Sequence, residues 1–180
     1  MDQKVETNAR GIPKAPFVEE VEDYMSVEGR NADKVLREFS EAISKYRFME
    51  ANMLQRKQGL DSKIPEIQKS FDMVNYLIGK QESDDKINVN YELNDTLYAK
   101  ATIEPTNSIY LWLGANVMVE YNLEEAHSLL KAKLELATRS KDNATQDLEF
   151  LREQITTMEV NTARVYNWDI IKRREAKAKA

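Results

Sequence analysis

Apolar residues recur along this chain in two rhythms, and the change between them sets the plan of the molecule. From Leu36 to Ile78 they fall alternately three and four residues apart. The positions are Leu36, Phe39, Ile43, Tyr46, Glu50, Met53, Lys57, Leu60, Ile64, Ile67, Phe71, Val74 and Ile78, eleven of the thirteen apolar. The same rhythm returns as Leu123, His127, Leu130, Leu134, Ala137, Lys141, Ala144, Leu148, Leu151, Ile155, Met158, Thr162 and Val165, ten of thirteen apolar. Stripes this narrow and this regular predict coiled-coil helices, each facing one partner. Between them, over 87–121, the period drops to two, as in Leu97, Ala99, Ala101, Ile103 and again in Ile109, Leu111, Leu113 and Val117, Val119, Tyr121. That alternation predicts up to four short strands, near 87–93, 96–103, 109–113 and 117–121, in one or two hairpins. Turn residues separate them: Asn94-Asp95, Glu104 to Ser108, and Gly114-Ala115-Asn116.

Each stripe spans 42 residues, roughly 63 Å of helix. Two equal stripes joined by a compact connector should fold back on each other as an antiparallel coiled coil. Paired positions then sum to about 201, which places Phe71 beside Leu130, Met53 beside Leu148, Tyr46 beside Ile155 and Glu50 beside Leu151. Gly59 and Pro65 are expected to weaken the first helix, the proline by removing an amide donor and kinking the turn before it. Asn122 is placed to cap the second helix, with Glu124 and Glu125 suited to its first turn. The resulting segments are an extended arm with a short acidic amphipathic stretch (1–32), a first coil helix (33–80), the hairpins (87–121), a second coil helix (122–175) and a basic tail (176–180). A turn is expected around Glu28-Gly29-Arg30-Asn31.

The hairpins raise a difficulty. A few strands need an apolar face covered and their edges paired, yet the helical stripes are expected to be used up on each other. Strands from other subunits are therefore expected to complete the sheet.

Composition narrows the function. The chain has 180 residues, a formal net charge of −5, 32 % charged residues and no cysteine. The acidic balance argues against general attraction to nucleic acid or to anionic membrane, and without cysteine there is neither a disulfide framework nor thiol chemistry. No apolar run approaches a membrane span, and the residues after Met1 do not begin a signal peptide; the expectation is a soluble, intracellular protein. The five glycines are scattered, so no phosphate-cradling loop is formed. A single histidine, His127, sits in a coil stripe and reads as a packed residue; neither a histidine metal cluster nor a catalytic triad can be built. Glu124-Glu125 and Asp84-Asp85 read as solvated or capping acids. No catalytic residue, metal or cofactor is expected, and the chain is not expected to be an enzyme.

Two features exceed what a coil needs. Beyond the stripes, Val35, Phe48, Met49, Val160, Tyr166, Trp168, Ile170 and Ile171 crowd the end expected to lie far from the hairpins. They pack on the arm, through Phe17, Val21 and Tyr24, or form an adaptable binding surface. The second is charge: an acidic run at 17–28 and a basic one at 172–179 invite contact with each other or with a charged partner.

Several stretches carry a resemblance. They are Arg10-Gly11-Ile12-Pro13, Lys45-Tyr46-Arg47-Phe48-Met49-Glu50, Lys63-Ile64-Pro65-Glu66-Ile67, Leu111-Trp112-Leu113-Gly114-Ala115-Asn116-Val117-Met118, and Thr162-Ala163-Arg164-Val165-Tyr166-Asn167-Trp168-Asp169. Together they resemble α-type subunits of the prefoldin family across nearly the whole chain. The resemblance implies an α+β subunit, a long antiparallel two-helix coiled coil with two central β-hairpins that join an inter-subunit β-barrel. It implies a heterohexamer with one further α-type and four β-type subunits, and an ATP-independent holdase. That holdase takes unfolded actin and tubulin to the cytosolic group II chaperonin; the setting is cytoplasmic, with the nucleus left open. On that basis Leu97, Tyr98, Ile103, Ile109, Leu111, Leu113, Val117 and Val119 are candidates for subunit assembly. Phe39, Tyr46, Phe48, Met49, Val165, Tyr166, Trp168 and Ile171 are candidates for client contact, although Phe39, Tyr46 and Val165 also hold stripe positions. The runner-up is a coiled-coil adaptor in a transport or cytoskeletal complex.

Overall fold

A computed structural model describes residues 6–27, 30–83 and 86–179; Glu28-Gly29 and Asp84-Asp85, on which a turn and an acidic pair were expected, lie outside them. The chain divides into two compact units, Met1–Gln58 with Asp142–Ala180, and Gly59–Lys141. In order, the elements are α1 (Val21–Met25), α2 (Ala32–Ser83), β1 (Ile87–Asn94), β2 (Leu97–Ile103), β3 (Ser108–Gly114), β4 (Val117–Asn122) and α3 (Leu123–Lys179). All 26 stripe positions are buried or half-buried. α2 passes through Gly59 and Pro65 without interruption: the proline costs one helical bond, while Ile64 and Ile67 remain half-buried on either side of it. α3 extends to Lys179 instead of stopping near 175. Its start is capped as expected, with the Glu125 amide donating to Asn122 Oδ1 at 2.7 Å.

Within the first unit, α2 and α3 run antiparallel. Arg152 Nε lies 3.0 Å from Glu50 Oε1, and Arg47 Nη2 lies 2.7 Å from Glu159 Oε1. A shift of one heptad would have set Glu50 against Ala144 or Met158; it meets Arg152, next to the expected Leu151. Within the second unit, Lys141 pairs with Asp61 at 2.7 Å, and Phe71 stacks on His127, with ring centroids 4.9 Å apart. His127 is thus packed in the stripe, one position from the expected Leu130.

Two antiparallel hairpins complete the second unit, each a separate two-stranded sheet, β1 with β2 and β3 with β4. In the first, Ile87 faces Ile103, Val89 faces Ala101 and Tyr91 faces Ala99. In the second, Ile109 faces Tyr121, Leu111 faces Val119 and Trp112 faces Met118. The β3–β4 turn holds three consecutive residues at positive φ, Gly114 (93°), Ala115 (48°) and Asn116 (60°). The two central angles have the sign of a type I′ turn, whose twist suits a hairpin.

The coil is not self-sufficient in either unit. In the second, Val74, Ala126 and Leu130 form a core on which Ile109, Leu111 and Tyr121 of the β3–β4 hairpin pack. The stripes were expected to be used up on each other; instead, a face of this hairpin is seated on the chain's own helices. In the first, Val35, Phe39, Tyr46, Leu151, Ile155, Met158 and Val165 share a core with Ala15 and Val18 of the N-terminal arm.

Candidate functional site

The two hairpins present apolar surface that nothing among the described residues covers. On β1–β2, Tyr91, Leu93, Leu97, Tyr98 and Ile103 are exposed, and Ile87 alone is buried. On β3–β4 the face carrying Tyr110, Trp112 and Met118 is open, with Trp112 60 % exposed. Side chains alternate between faces, so the pairing of Ile109 with Tyr121 and Leu111 with Val119 assigns these four to the face turned toward the helices. Two of the assembly candidates, Ile109 and Leu111, therefore spend their surface on this chain's own core. Tyr110, Trp112 and Met118, passed over because they fall between the alternating aliphatics, hold the free face. Leu97, Tyr98, Ile103, Leu113 and Val117 are exposed, and Val119 is half-buried.

In the first unit the arm lies along α3. A turn at Asn8–Ile12 begins it, with Asn8 Oδ1 accepting from the amides of Arg10 (3.0 Å) and Ile12 (2.8 Å). Gly11 takes φ 84° there, a conformation that costs glycine little. The turn sets Asn8 Nδ2 and Arg10 Nε on the two oxygens of Asp147, at 2.8 and 2.6 Å. Further along, the Ala15 amide donates to Gln154 Oε1 at 2.9 Å and the Val18 amide to Asn161 Oδ1 at 3.0 Å. Asn161 Nδ2 donates back to the Pro16 carbonyl at 2.6 Å, Tyr46 Oη to the Pro13 carbonyl at 3.1 Å, and Arg164 to the Glu19 carbonyl at 2.7 Å. Asp147, Gln154 and Asn161 are all buried, Asn161 completely.

The spacing explains the fit. Asp147, Gln154 and Asn161 stand seven residues apart, about 10.5 Å at 1.5 Å per helical residue. The arm turns Ile12, Ala15, Val18 and Val21 inward, one residue in three. Three residues of extended chain cover about 10 Å, so the Ala15 and Val18 amides stay in step with Gln154 and Asn161, while the turned stretch from Asn8 and Arg10 to Ala15 spans the heptad from Asp147 to Gln154. Aromatic and cationic contacts tie down the far end. Tyr24 approaches Phe39 at 6.1 Å between ring centroids, with the Arg30 guanidinium over its ring at 3.9 Å. A bond to Lys172 at 2.8 Å, and the attraction of its charge, hold the Glu22 carboxyl below its ordinary range and raise the Lys172 ammonium above its own. Burial likewise raises the Tyr46 phenol. The acidic and basic runs do meet, through this pair.

The client candidates divide accordingly. Phe39, Tyr46 and Val165 are buried beneath the arm and between the helices, Val165 completely, so with the arm seated they belong to the core. Phe48 is 70 % exposed, Tyr166 and Ile171 are exposed, and Met49 and Trp168 are half-buried. Phe48 and Met49 line an open apolar groove of about 800 Å³ with Pro13, Ala42 and Tyr46. Val35, counted among the surplus, is buried by the arm. Asp147, Gln154 and Asn161 were missed: one uncharged or paired polar residue every seven, flanking the stripe where a two-helix coil carries solvated charge, was their signal. Among the described residues no group of three metal-ligating side chains occurs, and no helix is long and apolar enough to cross a membrane.

A helical pair interrupted by two hairpins is the plan of the prefoldin subunits, and the comparisons agree. The family model described as Prefoldin subunit matches residues 46–168. A filamentous PFD from Methanocaldococcus jannaschii superimposes with a TM-score of 0.51 at 16 % identity, over 68 % of this chain and 98 % of that one, a likeness of fold. The chain belongs to the prefoldin subunit family. Within it, three similar relatives share one name. Prefoldin subunit 3 of Elsinoe fawcettii is 56 % identical, covering 94 % of this chain and 85 % of the relative. Probable prefoldin subunit 3 of Schizosaccharomyces pombe is 50 % identical over 95 % and 98 %, and prefoldin subunit 3 of Homo sapiens 47 % over 91 % and 83 %.

Proposed function

We propose that this chain serves as an α-type subunit of a prefoldin co-chaperone, joined through its hairpins to one further α-type and four β-type subunits. The assembly acts in the cytoplasm as an ATP-independent holdase, keeping unfolded actin and tubulin chains from aggregating and passing them to the group II chaperonin. One observation carries the reading: two lone hairpins with bare apolar faces at Tyr91, Leu97, Trp112 and Met118. Surface of this kind is stable in water when other strands cover it. Leu97, Tyr98, Ile103, Leu113, Val117 and Val119 with Tyr110, Trp112 and Met118 then form the assembly surface, and Phe48, Met49, Tyr166, Ile171 and the edge of Trp168 the client surface.

Native mass spectrometry of the complex purified with this chain tests the assembly. Aggregation of denatured actin, followed by light scattering with and without that complex, tests the holdase. A chain that stays monomeric among its prefoldin partners, or a full complex that leaves aggregation unchanged, would sink the corresponding half.

A further inference from the structure

Almost every polar contact the coil makes with the middle of the arm goes to main-chain atoms. Gln154 takes the Ala15 amide, Asn161 takes the Val18 amide and gives to the Pro16 carbonyl, and Tyr46 and Arg164 reach the carbonyls of Pro13 and Glu19. A side-chain amide that both accepts from and donates to an extended backbone reads conformation, since every residue offers the same groups. The arm's own side chains contribute small apolar bodies at every third place, of which Ala15 and Val18 are buried. Such a groove is selective for extended chain carrying modest apolar residues and is otherwise tolerant of sequence.

The row on α3 is also longer than the arm uses. Seven residues beyond Asn161 stands Trp168, whose Nε1 is buried with no hydrogen-bond partner. The Glu22 carboxylate lies near enough for the indole N–H to favour its ionised form slightly, but its full bond goes to Lys172. No arm carbonyl takes the indole N–H, since the arm ceases to be extended: it coils into α1 at Val21, and its carbonyls turn into that helix. A cleft of about 440 Å³ remains there, walled by Val21, Trp168 and Ile171 and rimmed by the charged Glu20, Glu22, Arg164, Lys172 and Glu175. A buried orphan donor is costly, and one more residue of extended chain would satisfy it.

We propose that this groove binds extended apolar segments of unfolded chains, and that the arm occupies it in cis as a stand-in that an incoming segment displaces. The proposal rests on the holdase reading above. It adds a site, read by Gln154, Asn161 and Trp168, to the exposed apolar residues around it. Displacement of the arm also removes Pro13 from the wall of the neighbouring groove and so widens the surface that holds Phe48 and Met49.

The experiment uses the assembled complex with full-length chain, either native or carrying Val18→Asp, which unseats the arm and leaves every groove residue intact. The probe is a fluorescein-labelled peptide of residues 8–20 followed by four alternating valines and threonines; a second peptide ends at residue 20. Both should bind the Val18→Asp complex at least about tenfold more tightly than the native one, and denatured actin should compete them off. The longer peptide should bind about fivefold more tightly than the shorter, the worth of one neutral hydrogen bond, and Trp168→Phe should erase that gain. Absence of peptide binding, or failure of denatured actin to displace it, overturns the proposal. If the Val18→Asp subunit does not enter the complex, hydrogen exchange in the native complex decides. Denatured actin should hasten exchange at the Ala15 and Val18 amides, and unchanged protection overturns the proposal. Light scattering is read alongside: loss of aggregation suppression by the native complex sinks the holdase reading, whereas suppression without displacement sinks the groove alone.

Discussion

The two units solve the same shortage differently. A two-helix coil has one stripe per helix and little left to bury a third element, and each unit of this chain carries such an element. In the first unit it is the arm, which brings apolar residues every third position and is met by buried polar groups at Asp147, Gln154 and Asn161. The strands of the second unit bring alternating apolar residues on two faces, and a single face of one hairpin finds a place on the helices. One unit covers its third element with its own helices, although Phe48, Tyr166 and Ile171 stay exposed, and the other leaves Trp112, Met118, Tyr91 and Leu97 open. The difference lies in stoichiometry of faces: an arm has one side to satisfy, a hairpin has two sides and two edges.

That contrast can be broken at several points. The largest effect should follow Trp112→Asp combined with Leu97→Asp. A charge on each bare face should abolish entry into the complex, seen as loss of the assembled species by native mass spectrometry, while far-ultraviolet circular dichroism keeps the helical signal. Leu151→Ala, beneath the arm, should lower the unfolding free energy by about 2–5 kcal/mol in denaturant titrations. Asn161→Ala should cost about 2 kcal/mol of arm docking, since two bonds to main chain go together, and exchange at the Val18 amide should quicken roughly thirtyfold. Phe48→Ser with Ile171→Ser should shift stability by no more than about 0.5 kcal/mol but weaken capture of denatured actin; equal capture would remove these residues from the client surface.

The smallest effect is pH-dependent. Glu22, with its carboxyl held low by Lys172, contributes fully above its ordinary value of 4.5, and the contribution fades as pH falls through the lowered one. Lys172, raised by the same bond, contributes fully below its ordinary 10.5 and loses it as pH rises through the raised value. Both groups are exposed, so the change is slight. Tryptophan emission followed down from pH 5 should show an acid step that Lys172→Ala removes.

Most of the skeleton was legible because it follows from periodicity. The stripes located both helices and their register to within a turn, and the switch to period two located four strands whose ends moved by no more than one residue. What was not legible depended on a third partner. Val35, Phe39, Tyr46 and Val165 look alike in sequence whether they face a client or an arm, and the arm lacks a helical or strand rhythm to declare itself. Ile109 and Leu111 alternate as well as Leu97 does. Only the seating of their hairpin on Val74 and Leu130 separates an intrachain face from an open one. The Arg10-Gly11-Ile12-Pro13 stretch, legible only as part of a resemblance, owes its residues to the anchor on Asp147.

The arm and α3 behave as two rulers ruled at different intervals, three divisions on one matching seven on the other. Such a vernier tolerates no single-step error. Deleting one residue between Ala15 and Val18 should throw every mark beyond it out of alignment, whereas adding three residues to the arm together with one heptad to each helix should restore coincidence. Changes of length in this part of the molecule are therefore admissible only in matched steps, a constraint that bears on its ancestry as much as on its redesign.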